Sequence, residues 1–285
     1  MKKLKSIVSS VTAIAMISTL AITTSPAFAA NTTQPYVQSD TTVNFTVEHN
    51  TTYKFKMTVH GSRSNPKIAS GNRNVLRTEN TTHTKDNSGN DVYYFTVRAI
   101  GKAGQASGVY TTLPGQKAVR HSIIAVPYSE GKYKVGVDIP AGEYVIFPDK
   151  SESGEYFGYF SLSKDSAGTS PVTNDAYTSR RYLTVSDGQY LMLNESEMVA
   201  FKDTGRMIIK NNSLDAGMYK CGFDIQPGKY KIISTDTQKA YMELRSGDSG
   251  NSDELISNDN FLGTKYITVS AGQYLLVDRG KLDLN

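Results

Sequence analysis

The segment Tyr133-Lys-Val-Gly-Val-Asp-Ile-Pro-Ala-Gly-Glu-Tyr144 recurs as Tyr219-Lys-Cys-Gly-Phe-Asp-Ile-Gln-Pro-Gly-Lys-Tyr230, and Tyr182-Leu-Thr-Val-Ser-Asp-Gly-Gln-Tyr190-Leu recurs as Tyr266-Ile-Thr-Val-Ser-Ala-Gly-Gln-Tyr274-Leu. Two motifs repeated in the same order mean that one supersecondary unit was duplicated, so both copies must fold alike. The copies are offset by 86 at Gly142 and Gly228 and by 84 at Tyr190 and Tyr274, a difference that loops absorb. Each copy is predicted to open with a strand (133–137), turn at Pro140-Ala-Gly142 or Pro227-Gly228, and re-enter a strand at 143–147 or 229–233, which reads as a hairpin. Next come 156–162 against 240–244, a polar loop ending in Asn174-Asp175 or Asn258-Asp259, and a closing strand, Gly-Gln turn and Tyr-Leu.

The region before the repeats also reads as strands. Segments 42–47, 53–59, 92–100 and 119–126 alternate apolar with polar residues, the period of a sheet with one buried face. Asn50-Thr51 and residues 86–91 supply turn formers, and Leu113-Pro-Gly115 reads as the turn into the last strand. Gly101, Gly104 and Gly108 suit a tight loop with positive φ. No sustained helical period appears. The expected fold class is all-β: a flexible leader over 30–40, an immunoglobulin-like β-sandwich over 41–128, and two sandwich or jelly-roll-like repeats over 129–204 and 205–285.

Residues 1–29 carry the marks of a signal peptide. A basic start at Lys2, Lys3 and Lys5 precedes an apolar stretch broken by serines and threonines, and Pro26-Ala-Phe-Ala29 ends in a small-x-small cleavage pattern. The expected location is secreted, extracellular or cell-surface associated, with no membrane insertion of the mature chain. The three lysines leave with the signal, so the formal charge of +4 falls to +1. A nearly balanced chain without a basic block offers no footprint for nucleic acid. Cys221 is the single cysteine, so no internal disulfide forms, and its counterpart Val135 marks an apolar strand position.

Residues 101–126 resemble the closing segment of small immunoglobulin-like accessory modules in exported proteins of clostridia and their relatives. That likeness implies attachment to the cell envelope and names no ligand. Gly217-Met-Tyr-Lys-Cys-Gly222 and Asp138-Ile-Pro-Ala-Gly-Glu-Tyr144, each with a later Gly-Gln-Tyr-Leu, resemble a repeat common in exported or envelope-facing proteins of Gram-positive bacteria. The resemblance covers 131–195 and 217–279 and implies architecture and location.

No catalytic set emerges. His49, His60, His83 and His121 all lie in the first domain, at separations that fit no metal motif, and no Gly-x-Ser-x-Gly elbow is present. Glu143 corresponds to Lys229, so the copies cannot share a carboxylate pair for glycoside hydrolysis. Asp138 and Asp224, each ahead of a turn, suit side-chain bonds to the turn backbone. Asp248-Ser-Gly-Asn-Ser-Asp-Glu254 is rich in oxygen, but Asp165-Ser-Ala-Gly-Thr-Ser-Pro171 keeps only its first acid, so a polar loop is the simpler reading than calcium. Asn174, Asp175, Asn258 and Asp259 are the better-placed cation ligands. With eighteen tyrosines and no tryptophan, sugar stacking would fall to tyrosine. Tyrosines at positions shared by the copies are expected in packing, leaving Tyr156, Phe157 and Tyr159 as the exposed candidate cluster.

These observations imply a secreted, non-enzymatic, cell-envelope-associated binding or adhesion protein without cofactor or metal, its partner a cell-wall glycan or another envelope component. Two alternatives stand beside it: a cell-wall polymer hydrolase with its site in 41–126, and a structural spacer or assembly subunit.

Overall fold

The computed structural model describes residues 34–284 except 208, 210, 236 and 238. The expected signal peptide lies outside the described residues. Residues 35–285 form one compact unit built from three β-sandwiches in chain order. Among the described residues there is no α-helix, and none of the helical turns is long and apolar enough to cross a membrane.

The first sandwich contains β1 (Tyr36–Ser39), β2 (Phe45–Thr46), β3 (Thr52–His60), β4 (Lys67–Ser70), β5 (Leu76–Lys85), β6 (Asp91–Ala99), β7 (Ala106–Thr112) and β8 (Val119–Ala125). Its sheets run β1-β3-β6-β5 and β2-β8-β7-β4, with β2 parallel to β8. This is the strand arrangement of constant-type immunoglobulin domains with the first strand divided between the sheets. Alternation decides which residues fill it: Phe55, Met57 and Val59 of β3 meet Phe95 and Val97 of β6 in one buried cluster with Leu76, Val109 and Ile124.

Three expectations change here. Residues 36–39, read as leader, are β1, because Val37 packs on the core and the strand pairs with β3. The strand read over 42–47 shrinks to Phe45–Thr46. Of the three glycines read as loop formers, Gly104 alone has φ of +78°, and Gly108 lies inside β7, where a Cβ would meet the Tyr110 ring at 2.7 Å.

The first repeat holds β9 (Gly131–Lys134), β10 (Gly142–Lys150), β11 (Tyr156–Ser163), β12 (Pro171–Tyr177), β13 (Arg181–Val185), β14 (Tyr190–Asn194) and β15 (Ser196–Ala200). The second holds β16 (Ser213–Leu214), β17 (Gly217–Lys220), β18 (Gly228–Ser234), β19 (Ala240–Arg245), β20 (Leu255–Phe261), β21 (Thr264–Val269), β22 (Tyr274–Asp278) and β23 (Gly280–Asp283). The second repeat orders its sheets β16-β23-β18-β21 and β17-β22-β19-β20. Counted within the module this is first-eighth-third-sixth against second-seventh-fourth-fifth, the jelly-roll order. In the first repeat β10 pairs with β13 and β15, β11 with β12 and β14, and β14 with β9. There Tyr128, bridged to Met198, stands where Leu214 pairs with Leu282, so the repeat begins one residue before the expected boundary.

The expected hairpin is overturned. β9 pairs with β14 and β10 with β13 and β15, so the Lys-x-Gly-x-Asp-Ile turn arches from one sheet to the other instead of joining neighbours. The arch is identical in both copies. Gly136 (φ +86°) and Gly222 (φ +95°) donate to the Ile139 and Ile225 carbonyls, a left-handed position that suits glycine. Lys134 N–H donates to Asp138 at 2.8 Å and Lys220 N–H to Asp224 at 2.9 Å, as turn-bonding aspartates should. Tyr144 and Tyr230 hydroxyls close the same turn on the carbonyls of Pro140 and Gln226.

Each repeat closes its own interior. Ile146, Leu162, Leu183 and Leu191 fill the first; Ile232, Leu244, Leu275 and Leu282 fill the second, with Cys221 buried beside them. Both copies slip register at the same place, after Leu162 and after Leu244. The offset there is 82, so the second copy loses residues between β18 and β19 and regains some before β20. The longer first loop lets Asp149 and Lys150 of β10 pair with Phe157 and Tyr156 of β11.

Because the interiors are separate, Leu162→Ala and Leu244→Ala are each expected to cost about 2–5 kcal/mol. Their effects should add to within about 0.5 kcal/mol in the double variant, measured by denaturant unfolding.

Candidate functional site: the seam and cleft between the repeats

The outer face of β10, β13 and β15 in the first repeat lies against β17 and β22 of the second. Val145, Tyr182, Val199, Met218 and Tyr274 form a fourth buried cluster there, which also takes Ala125 from the first sandwich. Most polar groups at this seam are paired, Arg180 Nε being buried without a hydrogen-bond partner. Lys220 Nζ reaches Glu143 Oε1 at 2.7 Å, and the Tyr274 hydroxyl donates to the same oxygen at 2.8 Å. Arg180 is 5% exposed and pairs with Asp224, whose side chain is fully buried. The Tyr182 hydroxyl donates to Asp224 Oδ2 at 2.6 Å and accepts from Arg180 Nη2 at 2.7 Å. Arg180 Nη1 also donates to the Gly205 carbonyl at 3.1 Å. Asp224, already tied to its own turn, thereby also anchors the neighbouring module.

Beside the seam opens a cleft of about 310 Å³ between β12 and β13 on one side and β19 and its following loop on the other. Asp175, Arg181, Tyr241, Glu243, Arg245 and Asp248 give it a charged lining. Arg181 Nε donates to Asp175 at 2.7 Å, and Arg245 Nη1 to Glu243 at 2.6 Å. The Tyr241 hydroxyl donates to Glu243 at 2.5 Å; burial first, then that bond, push its pKa up to about 12. Asp248 clasps the two repeats: Thr184 donates its hydroxyl to Oδ1 at 2.6 Å and its N–H to the backbone carbonyl at 3.0 Å. Asp248 Oδ2 is buried without a hydrogen-bond partner. Burial is the main reason the carboxyl is raised to about 6, with Glu143 adding repulsion.

The expected site residues divide. Tyr156 and Phe157 are 51% and 46% exposed at the start of β11 and do not line the cleft, and Lys150 sits over the Tyr156 ring. Tyr159 is half-buried on the outer face of β11, opposite Ala176 and Asn194. Asn174 and Asp175 reach the cleft, whereas Asn258 and Asp259 lie on β20 of the other module. Asp175 and Asp259 hold equivalent side-chain cations, Arg181 and Lys265, so their oxygens are engaged by the chain itself. Among the described residues no group of three or more His, Cys, Asp or Glu is placed to hold a metal ion.

The shared tyrosines also divide. Tyr144 and Tyr219 are buried in their modules, Tyr182 and Tyr274 in the seam, but Tyr266, expected in packing, is 59% exposed because nothing docks on its face. The four histidines do not converge. His49 bonds the Gly101 carbonyl, His60 bonds Gln38, buried His121 bonds Thr111, and His83 bonds Asp91, which Lys85 shares on the exposed sheet face.

Arg180, Arg181, Glu243 and Arg245 are not among the site residues expected from sequence, and Asp248 is expected there only as part of a polar loop. One signal was present: Glu143 faces Lys229 in the alignment of the copies, and Glu243 and Arg245 stand where β11 has Ser161 and Ser163. Charge differs between the copies, in sign or in presence, where one copy meets a neighbour.

The chain matches no protein-family model and no curated protein. Among solved structures it is similar to SGBP-B of the Bacteroides ovatus mixed-linkage glucan utilization locus, in complex with a mixed-linkage heptasaccharide (13% identity, 84% of this chain and 71% of that one, TM-score 0.18). It is also similar to the adhesin InvE of Yersinia pseudotuberculosis (11% identity, 64% and 65%, TM-score 0.23) and to InvD of the same organism (11% identity, 83% and 84%, TM-score 0.25). At such scores no functional argument rests on the likeness.

Two measurements address the seam. Asp224→Asn removes the carboxylate from a buried pair and is expected to cost about 3–5 kcal/mol, whereas Asp138→Asn, at an exposed turn, should cost about 1 kcal/mol or less; paired thermal melts compare them. Asp248 in the folded chain lies above an unfolded aspartate, so its protonated form favours folding. That contribution is complete below pH about 3.8 and is lost as the pH rises through about 6. Asp248→Asn should therefore stabilise the chain at pH 7–8, by at most about 3 kcal/mol, and make little difference at pH 4, as read from melting temperatures across that range.

Proposed function

We propose that this is a secreted, cell-envelope-associated binding or adhesion protein without enzymatic activity, and that the cleft between its repeats takes a hydroxyl-rich glycan of the cell wall. The observation that carries this reading is the cleft lining. The ion pairs of Arg181 with Asp175 and of Arg245 with Glu243 line one opening of about 310 Å³ together with Asn174, so donor and acceptor groups stand side by side at its surface. Sugars are bound by such mixed sets, because each hydroxyl both donates and accepts. The volume sits at the lower end of small-ligand sites and suits one or two sugar units. Tyr241 adds an aromatic body beside the polar groups.

Binding is favoured over hydrolysis by how the carboxylates are used. Asp175 and Glu243 are each held by an arginine, and Asp248 is tied to Thr184, so all three are committed to holding the cleft walls. In the first sandwich, the region of the hydrolase alternative, the histidines are dispersed among separate partners.

Retention of the mature chain on isolated Gram-positive cell walls, followed by a glycan array, tests the proposal. The wild-type chain should be retained at low and moderate ionic strength. Arg245→Ala should weaken retention at least ten-fold, about 1.4 kcal/mol, with the fold intact by circular dichroism. Absence of retention, or equal retention of the variant, would overturn the assignment of the cleft.

A further inference from the structure

The two repeats pack head to tail. The first offers the outer face of its β13-β10-β15 sheet and the second the outer face of its β17-β22-β19 sheet, so each repeat keeps one sheet face that the other does not cover. A heterologous contact of this type can propagate unless something stops it. The residues at the two unused faces differ in the way that matters.

On the first repeat, Lys134 pairs across strands with Tyr190 as Lys220 pairs with Tyr274. Lys134 Nζ lies 5.8 Å from the centre of the Tyr190 ring, and Lys220 Nζ lies 5.1 Å from that of Tyr274. Met192 stands where Leu276 contributes to the seam, and Lys132, where Met218 does, adds a second positive charge. The grip that holds Glu143 is therefore present a second time, with Lys134 exposed, Tyr190 half-buried and, among the described residues, no carboxylate paired with Lys134.

On the second repeat the complementary face has been closed. Lys229 replaces Glu143, each opposite a threonine (Thr268 and Thr184). The apolar pair Val145 and Val199 becomes the ion pair of Lys231 and Asp283, 3.7 Å apart. Tyr266, in the place of Tyr182, is exposed with Lys229 over its ring. A second copy of this chain would bring Lys229 onto Lys134 and set the Lys231–Asp283 ion pair, in place of two valines, against Lys132, so like charges meet and a polar pair is buried where the seam is apolar.

We propose that the outer face of β9, β14 and β11, centred on Lys134 and Tyr190, docks the carboxylate-bearing outer sheet face of a β-sandwich module from a different protein, in the mode that joins the two repeats, and that Lys229 and Lys231 keep copies of this chain from docking on one another. The partner's chemistry follows from Glu143 and its surroundings: a glutamate set in an apolar sheet face beside a tyrosine. Docking between chains lacks the high effective concentration of the tethered repeats and is correspondingly weaker.

The chain itself supplies the probe. Lys229→Glu, Lys231→Val and Asp283→Val together recreate the Glu143 face at the end of the second repeat, and sedimentation velocity reads the result. The wild-type chain should sediment as a monomer at every loading. The triple variant should sediment faster as its concentration rises from about 1 to 100 μM. Adding Lys134→Glu should return it to monomer, and adding Tyr190→Ala should weaken association at least ten-fold. A triple variant with native circular dichroism that stays monomeric, or association that survives Lys134→Glu, overturns the docking surface. Wild-type self-association through Lys134 overturns the block. Should the triple variant not fold, Lys229→Glu alone, an exposed position, is read by the same two criteria against Lys134→Glu.

Discussion

The buried pair between Arg180 and Asp224 is the contact on which the arrangement of the C-terminal half depends. Asp224 accepts hydrogen bonds from Lys220 and Met207 backbone groups and from Tyr182, besides its ion pair, so its charge is matched by several donors. Such a site is costly to desolvate and tolerates little misplacement of either partner. Its effect is therefore on geometry more than on net stability: it selects one relative placement of the repeats out of the many that two apolar sheet faces would allow. The Lys220–Glu143 pair and the Thr184–Asp248 clasp then fall into register on either side of it.

Duplication explains why this half was legible, and also where legibility stopped. Residues that fill each module interior are repeated, so strand positions, the Gly-Gln turns and the turn aspartates could be read from two copies at once. The Gln189 and Gln273 side chains accept from the Ser186 and Ser270 N–H groups at 2.6 and 2.7 Å, a turn whose chemistry is local and hence visible in sequence. The arch was misread as a hairpin for a physical reason. A Pro-Gly turn between two alternating strands looks the same whether the strands pair side by side or face one another across a sandwich; only long-range partners such as β14 and β15 distinguish the two.

The interface residues were harder because they obey no repeat. A duplicated module needs its interior twice but its seam once, so Glu143, Val145, Glu243 and Arg245 depart from their counterparts at the faces that meet. Positions where two copies differ in charge on a shared strand are thus a usable signal for an inter-module contact, and Glu143 against Lys229 was one such position. Asp175 was found because it recurs as Asp259, yet what it does, holding Arg181 at a cleft wall, follows from the packing of the second module against the first. In the first sandwich the same limit applies to β1, whose short alternation gains its partner β3 only in three dimensions.

The seam also determines how many such clefts the repeats can form. The cleft needs β12 and β13 from one module and β19 with its loop from the next, so two repeats make one cleft and neither repeat makes one alone. Asp248 can remain buried with an unmatched oxygen because Thr184 of the other module covers it; in a separated repeat the same carboxyl would be solvated and ordinary. The raised carboxyl and the cleft are consequently properties of the docked pair, and any change that loosens Arg180 from Asp224 should dissolve both together, leaving two intact sandwiches joined by a linker.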